Sequence, residues 1–137
     1  MSPAEVAAAY LGAFGSGDPD QVARWVTDDF VNDHTSTLGG GCVGRDEYRK
    51  RLPGFLGGFV GLVYDVEDIL ADGDRVCAAY TMRARWQGES PVEIRGVQRL
   101  TIRDGLVARR TDYWDSLQFL LQVDPAVRDE LSRWLAR

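Results

Sequence analysis

The chain has 137 residues, 45% of them hydrophobic, and a net charge of −5, which suits a single domain over residues 1–137 that buries about two-thirds of its unfolded surface. Arg and Lys are interspersed with Asp and Glu, so no basic stripe follows a phosphate backbone and nucleic acid is not an expected partner; one histidine in the chain leaves no basis for a zinc or histidine di-metal site. There is no apolar run of about eighteen residues and no basic leader, so no membrane partner and a cytoplasmic location are expected, with Cys42 and Cys77 as two free thiols.

Ser2 and Glu5 form a capping box with Pro3 in the first turn, so a helix starts there and carries Val6, Tyr10, Leu11 and Phe14 on one stripe until Gly15 and Gly17 stop it. Asp18, Pro19 and Gln21 repeat the signal. Val22, Trp25 and Val26 predict a second short helix, closed by Asp28-Asp29. Residues 30–35 read as a short strand, followed by Gly39-Gly40-Gly41, a loop able to flex over what the strand presents. A third helix is expected over residues 45–52, broken by Pro53-Gly54.

From Phe59 onward the apolar period changes from 3.6 to about 2. Strands are expected over residues 60–70, 75–86, 91–103 and 106–114, with connections too short for crossovers, which makes an antiparallel meander. The last hairpin decides which side chains share a face. A two-residue turn at Asp104-Gly105 groups Gln98, Leu100 and Ile102 with Val107, Arg109 and Thr111. A three-residue loop, Arg103-Asp104-Gly105, groups them instead with Leu106, Ala108, Arg110, Asp112 and Trp114, and is preferred because it segregates apolar residues better. Asp115 caps a helix bearing Leu117, Leu120 and Leu121, and Asp124-Pro125 starts a terminal helix with Val127, Leu131, Trp134 and Leu135. The order predicts an α+β domain: a curved antiparallel sheet packed against three N-terminal helices, with further helices at the C-terminus.

His34 shares a strand face with Phe30 and Asn32, apolar at one end and polar at the other, which suits a pocket rim. An imidazole titrates near neutral pH and is able to take and return a proton. Asp112 lies beside Trp114, where desolvation raises a carboxyl pKa and suits an acid; equally, Arg110 on the same face pairs with it for structure alone. Tyr80, Met82 and Ala84 alternate with Thr81, Arg83 and Arg85, so the first set is assigned to the pocket. Tyr10 reads either as a core tyrosine or as a hydroxyl donor, and Gln98 either as an amide donor or as a bridge between strands.

This order of elements, with Ser16-Gly17-Asp18, Asp28-Asp29, Gly44-Arg45 and Tyr113-Trp114, resembles the nuclear transport factor 2-like superfamily over about residues 5–123. That resemblance implies a cone-shaped domain around one pocket. Against ketosteroid isomerases, Tyr10 matches the tyrosine that binds the substrate oxygen, His34 stands at the base position, and Gln98 replaces the protonated aspartic acid of the oxyanion hole. Histidine at the base position with an aspartate on the last strand looks more like the SnoaL-like polyketide cyclase branch.

The expected function is an acid–base enzyme without metal or organic cofactor, cyclising or isomerising an apolar carbonyl compound. His34 is the base, Asp112 the acid or orienting group, and Tyr10 with Gln98 the oxygen donors. Phe14, Asn32, Phe55, Tyr80, Met82, Leu100, Arg110 and Trp114 are the expected substrate-binding residues. Epoxide opening by the Arg110 and Asp112 pair is one alternative. A non-catalytic hydrophobic-ligand binder or dimeric adaptor is another. A homodimer through the outer sheet face around Thr81, Arg83 and Tyr113 is expected, and coupling to Asp112 predicts that His34 titrates above about 6.5.

Overall fold

The computed structural model describes residues 1–137. The capping box forms: Ser2 Oγ accepts from the Glu5 N–H at 3.2 Å and Glu5 Oε1 accepts from the Ser2 N–H at 2.9 Å, starting α1 (Pro3–Ala13). A 3₁₀ turn (Phe14–Ser16) ends at Gly17, whose φ of 68° is left-handed. Asp18 then caps α2 (Pro19–Ala23).

Two helix limits differ from expectation. The second helix stops at Ala23, because Trp25 and Val26 are needed by the sheet: the Val107 N–H donates to the Trp25 carbonyl at 2.8 Å, and β1 begins at Val26 (Val26–His34). After the two-residue strand β2 (Cys42–Val43), α3 (Arg45–Gly58) runs straight through Pro53. Pro53 and Gly54 face solvent, while Tyr48, Leu52 and Phe55 keep one stripe on the core.

The meander follows as β3 (Phe59–Asp72), β4 (Arg75–Trp86), β5 (Ser90–Arg103) and β6 (Leu106–Trp114). The six strands make one curved sheet in the order β2-β1-β6-β5-β4-β3. This is the expected α+β architecture with one addition: β1 pairs parallel with β6, so the sheet is mixed. Helices α1, α2 and α3 cover its inner face over a core that includes Leu11, Phe14, Phe30 and Leu100. The chain ends in α4 (Ser116–Val123) and α5 (Pro125–Leu135), capped by Asp115 and Asp124. No helix is long and apolar enough to cross a membrane.

The β5–β6 hairpin corrects the expected loop and explains why the expected face still appears. Arg103 pairs with Leu106 across a two-residue turn in which Asp104 and Gly105 both have positive φ, 53° and 74°, the geometry that matches strand twist. Ile102 therefore pairs with Val107. Ala108 is then an extra residue on β6, because Thr101 pairs with Arg109, and this bulge shifts the register by one. Beyond it Leu100 faces Arg110, Gln98 faces Asp112 and Gly96 faces Trp114.

Candidate active site

Between the inner sheet face, α1, α3 and α4 lies a cavity of about 290 Å³. Phe14, Phe55, Met82, Trp86, Ile94 and Phe119 make its apolar wall, and Asn32, His34, Tyr64, Tyr80, Arg110 and Asp112 gather at its polar end. Four local devices put them there. The β6 bulge turns Arg110 and Asp112 inward, and parallel pairing sets Asn32 beside Arg110 and His34 beside Asp112. Gly96 leaves room for Tyr80, since a Cβ there would stand 2.6 Å from the Tyr80 hydroxyl and from the Tyr113 carbonyl. Gly39 and Gly41 lie tight against β1; a Cβ on them would come within 2.5 Å of His34 Cβ and of the Asn32 carbonyl. The glycine loop thus serves close packing on His34.

Arg110 and Asp112 form an ion pair at 2.9 Å with side chains only 4% and 3% exposed. The rest of their bonding capacity is taken up almost entirely by aromatic hydroxyls. Arg110 donates to Tyr10 at 2.9 Å, to Tyr64 at 3.3 Å and to Tyr48 at 3.4 Å, and the Tyr10 and Tyr48 hydroxyls are 2.6 Å apart. Asp112 Oδ1 accepts from the Tyr80 hydroxyl at 2.7 Å, and Gln98 Nε2 stands 3.5 Å from Oδ2. Burial pushes the pKa of all four phenols above the ordinary tyrosine value. They are neutral hydrogen-bonding groups at physiological pH, so the guanidinium and carboxylate are the only formal charges in the cluster. Three polar atoms there have no partner, Asn32 Oδ1, Gln98 Oε1 and Arg110 Nε.

His34 makes no hydrogen bond to Asp112; its Nδ1 accepts from Trp114 Nε1–H at 3.3 Å. Burial, and then the Arg110 charge, lower its pKa to about 4, against smaller opposing effects of Asp112 and Asp33. The expected rise above 6.5 is therefore corrected. Arg110 already neutralises Asp112, and the solvent that would stabilise an imidazolium is missing. The ring is neutral at pH 7, and with Nδ1 engaged its proton sits on Nε2, which makes it a donor and not a free base.

NMR titration of this single histidine is expected to give a midpoint well below 6.5. A native value below the unfolded one means that the unfolded chain protonates first. His34 therefore contributes stability that is full above pH 6.5 and is lost as pH falls toward about 4. A midpoint at or above the ordinary value would place His34 in contact with Asp112.

Of the expected site residues, His34, Asp112, Phe14, Asn32, Phe55, Tyr80, Met82, Arg110 and Trp114 line the cavity. Tyr10, Gln98 and Leu100 do not. They are fully buried one layer behind it, where Tyr10 and Gln98 contact Arg110 and Asp112, because α1 and the base of β5 close over them. Tyr48, Tyr64, Trp86 and Phe119 are site residues that the sequence reading missed. Tyr64 had a signal, since it shares the inward face of β3 with Leu62 and pairs with Met82. Tyr48 lies on the apolar stripe of α3 with Leu52.

A family model for the SnoaL-like domain matches residues 7–110. No curated protein sequence gives a significant match. Among solved structures, the chain superposes on a protein of ketosteroid isomerase-like fold from Catenulispora acidiphila, in complex with trimethylamine, with a TM-score of 0.79 at 16% identity, covering 89% of this chain and 93% of that one. TerC, co-crystallised with polyporic acid, gives 0.77 at 22% identity over 90% and 99% of the two chains. An LEH-like epoxide hydrolase from M. tuberculosis gives 0.75 at 21% identity over 98% and 96%. At these identities the likeness is one of fold.

Proposed function

The chain belongs to the SnoaL-like domain family, and on that premise we propose that it is an acid–base enzyme that cyclises or isomerises an apolar, carbonyl-containing small molecule. The observation that carries this reading is the buried Asp112–Arg110 pair set into the wall of an otherwise apolar cavity. A buried ion pair is a weak source of stability, because desolvation offsets most of its attraction, so its place beside a ligand-sized space favours a chemical role.

Asp112 takes a proton from the carbon next to the substrate carbonyl, and the electron pair moves onto the carbonyl oxygen. Tyr80 and Arg110 hold the carboxylate in one orientation, while Tyr10 and Gln98 support that arrangement from behind. The His34 Nε2–H faces the developing enolate as a donor, a contribution of about 10²–10³ in rate for groups of this kind. In isomerisation the protonated Asp112 returns the proton to a different carbon. In cyclisation the carbanion attacks a second carbonyl, a C–C bond forms, and the new alkoxide takes the proton from Asp112.

One observation favours a second reading. Asn32 Oδ1 is unpartnered beside Arg110, and together with Asp112 it is suited to hold a water that opens an epoxide, the activity named for the M. tuberculosis neighbour. The two readings separate in D₂O. Incubation with aryl ketones and followed by NMR is expected to show deuterium entering the α-carbon. If none enters and aryl epoxides give diols, the second reading replaces the first; tight binding without turnover of either class means a binding protein.

We further propose a homodimer through the outer sheet face, where Val63, Val97 and Tyr113 are 45%, 40% and 42% exposed. Light scattering at micromolar concentration is expected to give twice the chain mass of 15.2 kDa. A single-chain mass alone removes the dimer.

A further inference from the structure

β5 is longer than its neighbour on one side. Pairing with β6 starts at Gly96 with Trp114, so residues 90–95 of β5 have no strand on that side. Such an edge leaves backbone groups unpaired. Here α4 satisfies them with two side-chain amides. Gln118 Oε1 accepts from the Arg95 N–H at 2.8 Å and its Nε2 donates to the Arg95 carbonyl at 2.9 Å. Gln122 does the same to Glu93, at 2.8 and 2.7 Å.

The spacing is what makes this work. Four residues of helix advance about 6.0 Å and two residues of strand about 6.6–6.8 Å, so glutamines at i and i+4 meet strand residues at i and i−2. Between the two glutamines, Phe119 points into the cavity and packs edge-to-face with Phe59 and Trp86, at ring-centroid distances of 5.7 and 4.9 Å. No residue of α4 is fully buried, so this helix is attached to the domain by the two amide clamps, by Phe119 and by Ser116, whose Oγ accepts from the Leu38 N–H at 3.0 Å. Leu38 is itself part of the cavity lining.

We propose that α4 is the movable wall of the cavity: Phe119 sets the length of the ligand accepted, and the Gln118 and Gln122 clamps on β5 are the latch that opens for entry. This rests on the cavity being the ligand site, as in the function proposed above. The latch reads out on its own, because the Glu93 and Arg95 amide protons are held only by glutamine side chains, whereas Ile94 faces Met82 inside the β4–β5 ladder.

Hydrogen exchange followed by NMR is expected to show Glu93 and Arg95 exchanging together, at least tenfold faster than Ile94. In the Gln118→Ala/Gln122→Ala variant both amides should exchange another tenfold faster with Ile94 unchanged, and 2-acetylnaphthalene, followed by tryptophan quenching, should associate several-fold faster. Phe119→Ala should shift preference at least tenfold toward 2-acetylanthracene. Glu93 and Arg95 exchanging at the Ile94 rate, or an unchanged association rate in the double variant, would overturn the latch; an unchanged preference in Phe119→Ala would overturn its role as the length gauge. If wild type binds neither ketone while the exchange pattern holds, the ligand class is wrong and the latch stands.

Discussion

Asp112→Asn is expected to lower deuterium incorporation into a ketone substrate by about 10²–10⁴, the range for removing a positioned general base. The amide keeps the carboxylate's shape and still accepts from Tyr80, so the cavity should persist. It does not balance Arg110, which is buried and is left without a counter-charge, and breaking such a pair costs about 3–5 kcal/mol. Exchange rates therefore belong at a temperature where near-UV circular dichroism shows the variant folded. A folded Asp112→Asn protein with wild-type exchange would move the proton chemistry off this residue.

The second large effect is on stability. Arg110→Met removes the group that joins Tyr10, Tyr48, Tyr64 and Asp112, and a loss of about 3–5 kcal/mol is expected in urea unfolding. The stranded carboxylate then prefers its neutral form, so part of the loss should return as pH is lowered. Arg110→Met/Asp112→Leu removes both charges together. It is expected to recover most of the stability with no activity, because replacing a whole buried ion pair by apolar groups is often neutral or better. A double variant as unstable as the single one would mean that the pair holds the fold.

The parts of the fold legible in the sequence are those fixed by neighbours in the chain. The Ser2–Glu5 box, the Asp18, Asp115 and Asp124 caps and the four-strand meander are local patterns, and each is present. What escaped depends on distant partners. Trp25 and Val26 look helical until Val107 is beside them, and Pro53 reads as a stop until Phe55 is seen to pack beyond it. The inward face of β6 was reached by the wrong turn, because a bulge at Ala108 has no sequence mark. The site divides in the same way. Alternation placed Asp112, Arg110, Tyr80 and Met82, whereas the tautomer of His34 is set by Trp114, eighty residues away, and the contribution of Phe119 is set by where α4 docks.

The parallel pairing of β1 with β6 has a consequence for synthesis and folding. Thr35 donates to the Asp112 carbonyl from both its N–H and its hydroxyl, at 3.1 Å each and across 77 residues of chain. Closing so long a loop is slow compared with forming the adjacent hairpins of the meander. As the chain leaves the ribosome, the Asn32 and His34 strand is present early but has no partner on its β6 side until Leu106 and the residues after it emerge. The cavity, lined by Asn32 and His34 of β1 and by Arg110 and Asp112 of β6, is thus complete only once the two ends of the domain have joined, and a nascent chain released before β6 would carry the N-terminal helices and His34 without a pocket for them to serve.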